Sequence, residues 1–129
     1  MQTENRYIPG VCNIGDGEVK RRKLAGLAGL VITVLLYGLL VYSDAPRSLR
    51  LIVFIPAVLA AIGFLQARTH FCAYFGMRGV YNFSYEVGVT EAVEQAEFRA
   101  QDVRKAWQII IYSVIIGAVA AVIAYYLPV

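Results

Sequence analysis

Two cysteines, Cys12 and Cys72, are the most reactive side chains in this sequence of 129 residues. Both lie near Lys and Arg residues, and nearby positive charge favours the thiolate form that attacks sulfur compounds and disulfides. The pair is therefore a candidate sulfur or redox carrier. The alternative, which we favour, is that both are small buried side chains without reactivity, because a reducing cytoplasm disfavours a standing disulfide.

His70 is the single histidine, and a neutral imidazole is a good axial ligand for a haem or a pigment. No second ligand follows at helical spacing, so we expect the ring to pack at the membrane interface instead. The sequence has no CxxC motif and no second pair of Cys or His, which excludes a disulfide framework and a zinc site. We therefore expect no catalytic residue, no metal and no cofactor.

The elements that carry these residues are predicted to be membrane helices. Hydrophobic residues make up 59% of the chain and charged residues 16%, and the mean hydropathy is +0.60, which is too apolar for a soluble domain. Three runs without charge, residues 24–42, 51–67 and 106–127, are long enough to cross a hydrocarbon layer of about 30 Å or nearly so. The sequence predicts an all-α integral membrane protein, a single domain over residues 1–129 with three transmembrane helices.

Lys and Arg residues flank these spans unequally. Nine lie between residue 20 and the first span or between the second and third spans, and two lie in the loop that joins the first two spans. The nine are Lys20, Arg21, Arg22, Lys23, Arg68, Arg78, Arg99, Arg104 and Lys105, and the two are Arg47 and Arg50. Because basic flanks stay inside, residues 1–23 and 68–105 are predicted to be cytoplasmic and the C-terminus to lie outside. Anionic lipid headgroups explain the net charge of +3, so we expect no nucleic-acid partner.

The segment 68–105 is predicted to hold an irregular, aromatic-rich interfacial stretch and then a helix that begins at Thr90. Apolar residues recur along this helix at steps of three and four, which predicts one amphipathic stripe. The stripe consists of Val93, Ala96, Ala100 and Val103. With no Gly or Pro before Trp107, the helix is expected to continue into the third span, for about 55 Å in all. We expect a partner protein to cover the stripe.

Small residues recur at a spacing of four in every span, and such pairs let helix backbones approach closely in lipid. We expect these residues to mark helix contacts, either within the chain or with another subunit. They are Ala25 with Gly29, Ala57 with Ala61, Gly117 with Ala121, and Ala120 with Ala124.

Asp, Glu, Lys, Arg and His are missing from all three predicted spans, and this argues against a pump or secondary transporter, which needs such groups at depth. A chain with about 60 residues in the bilayer also has too few left for a large enzyme. We therefore expect a non-catalytic accessory or assembly subunit of a larger membrane complex, in contact with lipids and with other integral membrane proteins. The alternatives are the thiol carrier and a haem-binding or pigment-binding subunit.

Short motifs flank the first two spans. They are Asn13-Ile14-Gly15, then Glu18, Arg22 and Gly26, and finally Cys72-Ala73-Tyr74-Phe75-Gly76. Over roughly residues 10–82 this pattern resembles a small bacterial two-helix inner-membrane family of unknown function, which also forms the membrane part of some membrane-anchored rhodaneses. Val19 replaces the family's Arg, Ala73 replaces its Pro, and residues 84–129 have no counterpart. The resemblance implies a bacterial inner membrane and a cytoplasmic N-terminus, slightly favours a sulfur-handling role for Cys72, and supplies no catalytic residue.

The same motifs also have a local structural explanation. Asn13 and Asp16 are the residue types that cap a helix N-terminus, and Glu18 lies one turn before Arg22, at the spacing of an ion pair. On this interpretation the motifs fix how the first helix begins.

Overall fold

The computed structural model describes residues 7–83 and 90–128. Three long helices dominate: α1 (Asp16–Tyr42), α2 (Phe54–Thr69), which directly follows a 3₁₀ helix at Arg47–Val53, and α4 (Ala96–Tyr126). A short helix α3 (Ala73–Arg78) and a two-stranded antiparallel sheet, β1 (Val80–Tyr81) with β2 (Glu91–Ala92), lie between α2 and α4. The long helices, with the 3₁₀ helix counted together with α2, are long and apolar enough to cross a membrane. The predicted all-α membrane fold with three spans is confirmed.

Helix α1 begins after Gly15, whose backbone is extended and which forms no side-chain cap. The expectation that Asn13 and Asp16 cap this helix is therefore wrong, since the Asn13 side chain binds elsewhere. Asp16 and Glu18 do lie in the first turn, where the helix dipole stabilises negative charge. In α2, Pro56 is the third residue, so its missing N–H falls in the first turn and leaves the rest of the helix intact.

Helix α2 lies between α1 and α4 and packs against both. At the crossing with α1, a Cβ atom added to Gly63 would lie 2.6 Å from the Gly26 nitrogen, and one added to Gly29 would lie 2.7 Å from the Ala60 nitrogen. Glycine is therefore required at both positions for this approach. Of the small residues predicted to mark contacts, Gly29, Ala57 and Ala61 are buried, whereas Ala25 is exposed.

The small face of α4 packs against the same chain. Gly117 lies on the Val58 side chain of α2, Ala121 and Ala124 are buried, and Ala120 is half-buried. The alternatives for this face were an internal partner or another subunit, and in this structure its partner is internal.

Helix α4 begins at Ala96, so the prediction of a helix from Thr90 is wrong. Glu91–Ala92 pairs instead with Val80–Tyr81, and the Val93 N–H donates to the Gly79 carbonyl at 2.7 Å. These bonds hold the segment in an extended form that local helix propensity does not overcome. The helix therefore has 31 residues, about 46 Å, rather than about 55 Å. The stretch expected to be irregular contains α3 and β1, and its residues 84–89 lie outside the described residues.

Arginines close the far end of the bundle. The buried Arg50 donates through Nη1 to the carbonyls of Ala124 and Leu127, at 3.2 and 3.0 Å, and Arg47 donates to the carbonyl of Tyr125. Cations at a helix C-terminus satisfy its last carbonyls and favour the dipole. Since Tyr7 contacts the beginning of α4, residues 7–15 and residues 124–127 lie at opposite ends of the helices.

Candidate functional site

A network of buried polar groups lies where α1 begins and α2 ends, and Asn13 is at its centre. Its side chain binds the backbone of Cys72 twice: the Cys72 N–H donates to Oδ1 at 2.7 Å, and Nδ2 donates to the Cys72 carbonyl at 3.2 Å. The Asn13 carbonyl also accepts the Asn82 N–H at 2.9 Å, and the Gly15 N–H donates to the Asn82 carbonyl at 2.9 Å. Asn13 therefore joins the segment before α1 to Cys72 and Asn82, which are 59 and 69 positions away in the sequence.

Glu18 extends this network from the first turns of α1. Its side chain is fully buried and forms an ion pair with Arg22, one helical turn later. The other carboxylate oxygen accepts the Asn82 Nδ2 at 2.9 Å. The ion pair predicted from the spacing is confirmed, and the bond to Asn82 anchors the end of β1 to α1.

Arg22 links the carboxylate to Cys72. Its Nη2 donates to the Cys72 sulfur at 2.8 Å, and its guanidinium lies 5.4 Å from the centre of the Phe75 ring. The Cys72 residue is 2% exposed. Arg22 thus contacts its sulfur, and the apolar side chains of Ile14 and Phe75 pack with Cys72 in one buried cluster.

Cys12 is half-buried in the segment before α1. Burial raises the pKa of its thiol above the ordinary value, the nearby Asp102 carboxylate adds to this, and the Ile8 backbone opposes it. Cys12 is therefore protonated at neutral pH. Neither cysteine forms a disulfide within the described part of the chain.

His70 contributes its backbone to the network. It ends α2 in a left-handed conformation, with φ of 55°, and its carbonyl accepts the N–H groups of Asn13 and Ile14 at 3.0 and 3.3 Å. Within residues 7–83 and 90–128, no group of three or more His, Cys, Asp or Glu side chains is arranged to hold a metal ion.

Asp102 forms a second buried polar contact, near the beginning of α4. It accepts the Tyr7 hydroxyl at 2.5 Å and the Gly10 N–H at 2.8 Å, and it is completely buried. Burial raises the pKa of Tyr7 well above its ordinary value, and the hydrogen bond to Asp102 raises it further. The Tyr7 ring also stacks on Tyr81, with centroids 4.8 Å apart. Asp102 thus fixes residues 7–12 to α4.

A cleft of about 880 Å³ adjoins the network. The cleft is lined by α1, α2 and α3 and by Ile110 of α4. Arg22 and Cys72 lie at its polar end. The buried polar network therefore forms one boundary of a space between the helices.

The stripe predicted along the cytoplasmic helix is only partly a helical stripe. Val93 lies before α4 and is buried, so it does not belong to the stripe. Ala96 and Ala100 are exposed on α4, and Val103 is half-buried. The remaining three still share one face of the helix, and Trp107, at the next step of four, is 53% exposed.

Comparison with known proteins found no matching family model, no similar curated protein and no similar solved structure. The resemblance of residues 10–82 to a two-helix membrane family stays a prediction. Of the residues that carry it, Asn13 and Cys72 are hydrogen-bonded to each other, and Arg22 contacts both Glu18 and Cys72.

Sequence reasoning missed Asn82 and Asp102. Asn82 gives no signal, because its role depends on a contact with α1. Asp102 does give one: it precedes Ala106, Ile109 and Ser113 at steps of four, three and four, all of which are buried on one face of α4. An acid that continues a buried apolar face is expected to have a hydrogen-bond donor from elsewhere in the chain.

Proposed function

We propose that this chain is a non-catalytic accessory or assembly subunit of a larger membrane complex, which contacts a second integral membrane protein through one face of α4. The supporting observation is the apolar stripe that lies outside the core of the bundle. It consists of Ala96, Ala100, Val103 and Trp107, at steps of four, three and four. No element within the described part of the chain buries Ala96, Ala100 or Trp107.

The stripe continues into the membrane span, and this favours one kind of partner. Val114 and Ala118 follow Trp107 at steps of seven and four, and both are exposed. A soluble partner would cover only the part of the stripe before the span. A helix that is itself embedded in the bilayer can cover the whole length, with small residues allowing close approach.

We further propose a bacterial inner membrane with the Asn13 network on the cytoplasmic side. The nine basic residues counted in the sequence belong to the end of the bundle that carries the network. The two at the opposite end, Arg47 and Arg50, bind helix carbonyls, so their charge serves the fold. Retention of Lys and Arg in the cytoplasm supports this orientation.

A photo-crosslinking amino acid placed at Ala100 tests the accessory role in living cells. We expect a crosslinked product of one defined mass that contains an integral membrane protein. The same crosslinker at Ala92, an exposed alanine in β2, is the matched control and is expected to give no such product. Equal products from both positions, or the chain alone in both cases, would contradict the proposal.

Two substitutions that each introduce a carboxylate test the partner contact independently. Ala100→Glu places a carboxylate on the stripe, whereas Ala92→Glu makes the same change away from it. Because Glu is a good helix former, α4 is expected to stay folded. We expect the first variant to insert normally but to lose its partner in mild detergent, and the second to behave as the wild type.

A thiol carrier is a second candidate, because Arg22 binds the Cys72 sulfur at the wall of a cleft that a small reactant can enter. If this is the function, a small uncharged thiol reagent will modify Cys72 faster than Cys12 in membranes, and Cys72→Ser will abolish the modification. Slow labelling of both thiols, as expected from the burial of Cys72, would contradict the thiol carrier.

A further inference from the structure

The cleft beside the Asn13 network has a structural cause. Gly26, Gly29 and Gly63 bring α1 and α2 into close contact, and α4 packs on α2 rather than on α1. A groove along α1 and α2 is left unfilled at the end of the bundle that holds the network, with α3 and Ile110 of α4 on its other side. Its volume of about 880 Å³ lies within the range of small-molecule sites.

The length of the cleft matches one leaflet of a bilayer. Its lining along α1 runs from Arg21 to Ile32, which is about 16 Å at 1.5 Å per residue. Half of a hydrocarbon core of about 30 Å is nearly the same length. An acyl chain from one leaflet therefore fits along the cleft.

The lining of the cleft is apolar along its length and polar at one end, as a phospholipid is. Ala25, Ala28, Ile32, Leu59 and Ile62 line its length, and its polar residues, Arg21, Arg22, Gln66 and Cys72, lie at the end nearest the network. Arg22 is held by Glu18 and by the Cys72 sulfur, so it forms part of the wall. Arg21 is exposed, and the exposed Lys20 and Lys23 lie beside it in the sequence. This end of the cleft thus presents positive charge at the level of the headgroups.

We infer that the cleft binds one anionic phospholipid of the surrounding leaflet, with the phosphate group at Arg21 and an acyl chain along Ala25, Ala28 and Leu59. The proposed lipid contacts are on α1 and α2, and Ile110 is the α4 residue that lines the cleft, whereas the partner stripe consists of Ala96, Ala100, Val103 and Trp107. The inference therefore does not depend on the accessory role.

Native mass spectrometry of the full chain in mild detergent tests this site, with phosphatidylglycerol and phosphatidylcholine supplied in equal amounts. We expect the wild type to retain one phosphatidylglycerol molecule in preference to phosphatidylcholine. Arg21→Gln should lower that preference about fivefold, since one basic residue contributes about a factor of five to anionic lipid binding. Lys23→Gln removes the same charge from an exposed position outside the cleft and is expected to change the preference little.

A steric variant tests the acyl-chain part separately. Ala28→Trp fills the cleft and should abolish retention of the lipid. Leu35→Trp places the same side chain at an exposed position of α1 outside the cleft and should leave retention intact.

Three results would overturn the inference. The first is equal retention of the two lipids by the wild type. The second is an equal loss of the preference for phosphatidylglycerol in Arg21→Gln and Lys23→Gln, which would show only diffuse attraction to the surface. The third is full retention of the lipid in Ala28→Trp.

Discussion

Replacement of Glu18 by Gln removes the charge that Arg22 contacts and keeps a side chain of nearly the same shape. The Glu18 side chain is fully buried, and that of Arg22 is 13% exposed. Removal of one member of a buried ion pair costs about 3–5 kcal/mol, because the remaining charge loses its partner inside the protein. Arg22 lies at the edge of the network and keeps some access to water, so we expect a loss near 3 kcal/mol for Glu18→Gln.

The reciprocal change, Arg22→Gln, leaves the Glu18 carboxylate buried. Asn82 still donates to it, and we expect a similar loss of about 3 kcal/mol. In the double variant no buried charge lacks a partner, and two amides can bind each other. Its loss is expected to be about 2 kcal/mol, well below the combined losses of the single variants.

The free energy of unfolding of these variants can be measured in mixed micelles by titration with sodium dodecyl sulfate. Trp107, the single tryptophan, serves as the fluorescent probe. Arg21→Gln is the matched control for loss of a basic residue on the same turn, and it should change stability by less than about 0.5 kcal/mol. Losses that add in the double variant would refute the reasoning, because they would mean that Glu18 and Arg22 act independently.

Three further outcomes can be measured with the same protein. Gly63→Ala should destabilise the bundle by about 1–3 kcal/mol in the same titration, because the new Cβ meets the Gly26 backbone; Gly38→Ala, which meets nothing within 4 Å, should stabilise it by about 0.5–1 kcal/mol. Burial, and next the hydrogen bond to Asp102, raise the pKa of Tyr7. The stability that the neutral Tyr7 side chain contributes is therefore fully present below pH about 10 and is lost as the pH rises further. The stability advantage over Tyr7→Phe should therefore be constant to that pH and then fall; a constant difference at higher pH would contradict this. A reporter that is active only in the cytoplasm should be silent when it is fused after Val129, and activity there would reverse the proposed orientation.

The three spans were predictable because hydropathy over about 20 residues depends on composition and hardly on tertiary contacts. The residues at which the helices begin were less predictable. Helix α1 begins at Asp16, eight residues before the predicted span, because the hydrophilic turns of a helix outside the bilayer carry no hydropathy signal. The beginning of α4 was missed for a different reason: β2 pairs with β1, and a pairing between separate segments overrides a local helical pattern.

The candidate site divides in the same way. The ion pair of Glu18 and Arg22 is a contact between neighbouring turns, so its spacing in the sequence was sufficient to predict it. The bond between Asn13 and Cys72 joins residues 59 positions apart, and that between Tyr7 and Asp102 joins residues 95 positions apart. Nothing local to either residue specifies its partner. The sequence identified Asn13 and Cys72 as parts of motifs but could not show that they meet.

The two proposed surfaces can be separated by crossing their tests, because the network that holds the bundle together lies apart from the stripe on α4. Ala100→Glu alters the stripe and leaves the lining of the cleft unchanged, so it should abolish the crosslinked product but not the retained phosphatidylglycerol. Arg21→Gln should do the reverse. If one of the two changes removes both the crosslinked product and the retained phosphatidylglycerol, then either the bound lipid supports the partner contact or the substitution loosens the fold. The unfolding titration distinguishes these cases, because only a loosened fold lowers the free energy of unfolding by more than about 0.5 kcal/mol for a surface substitution.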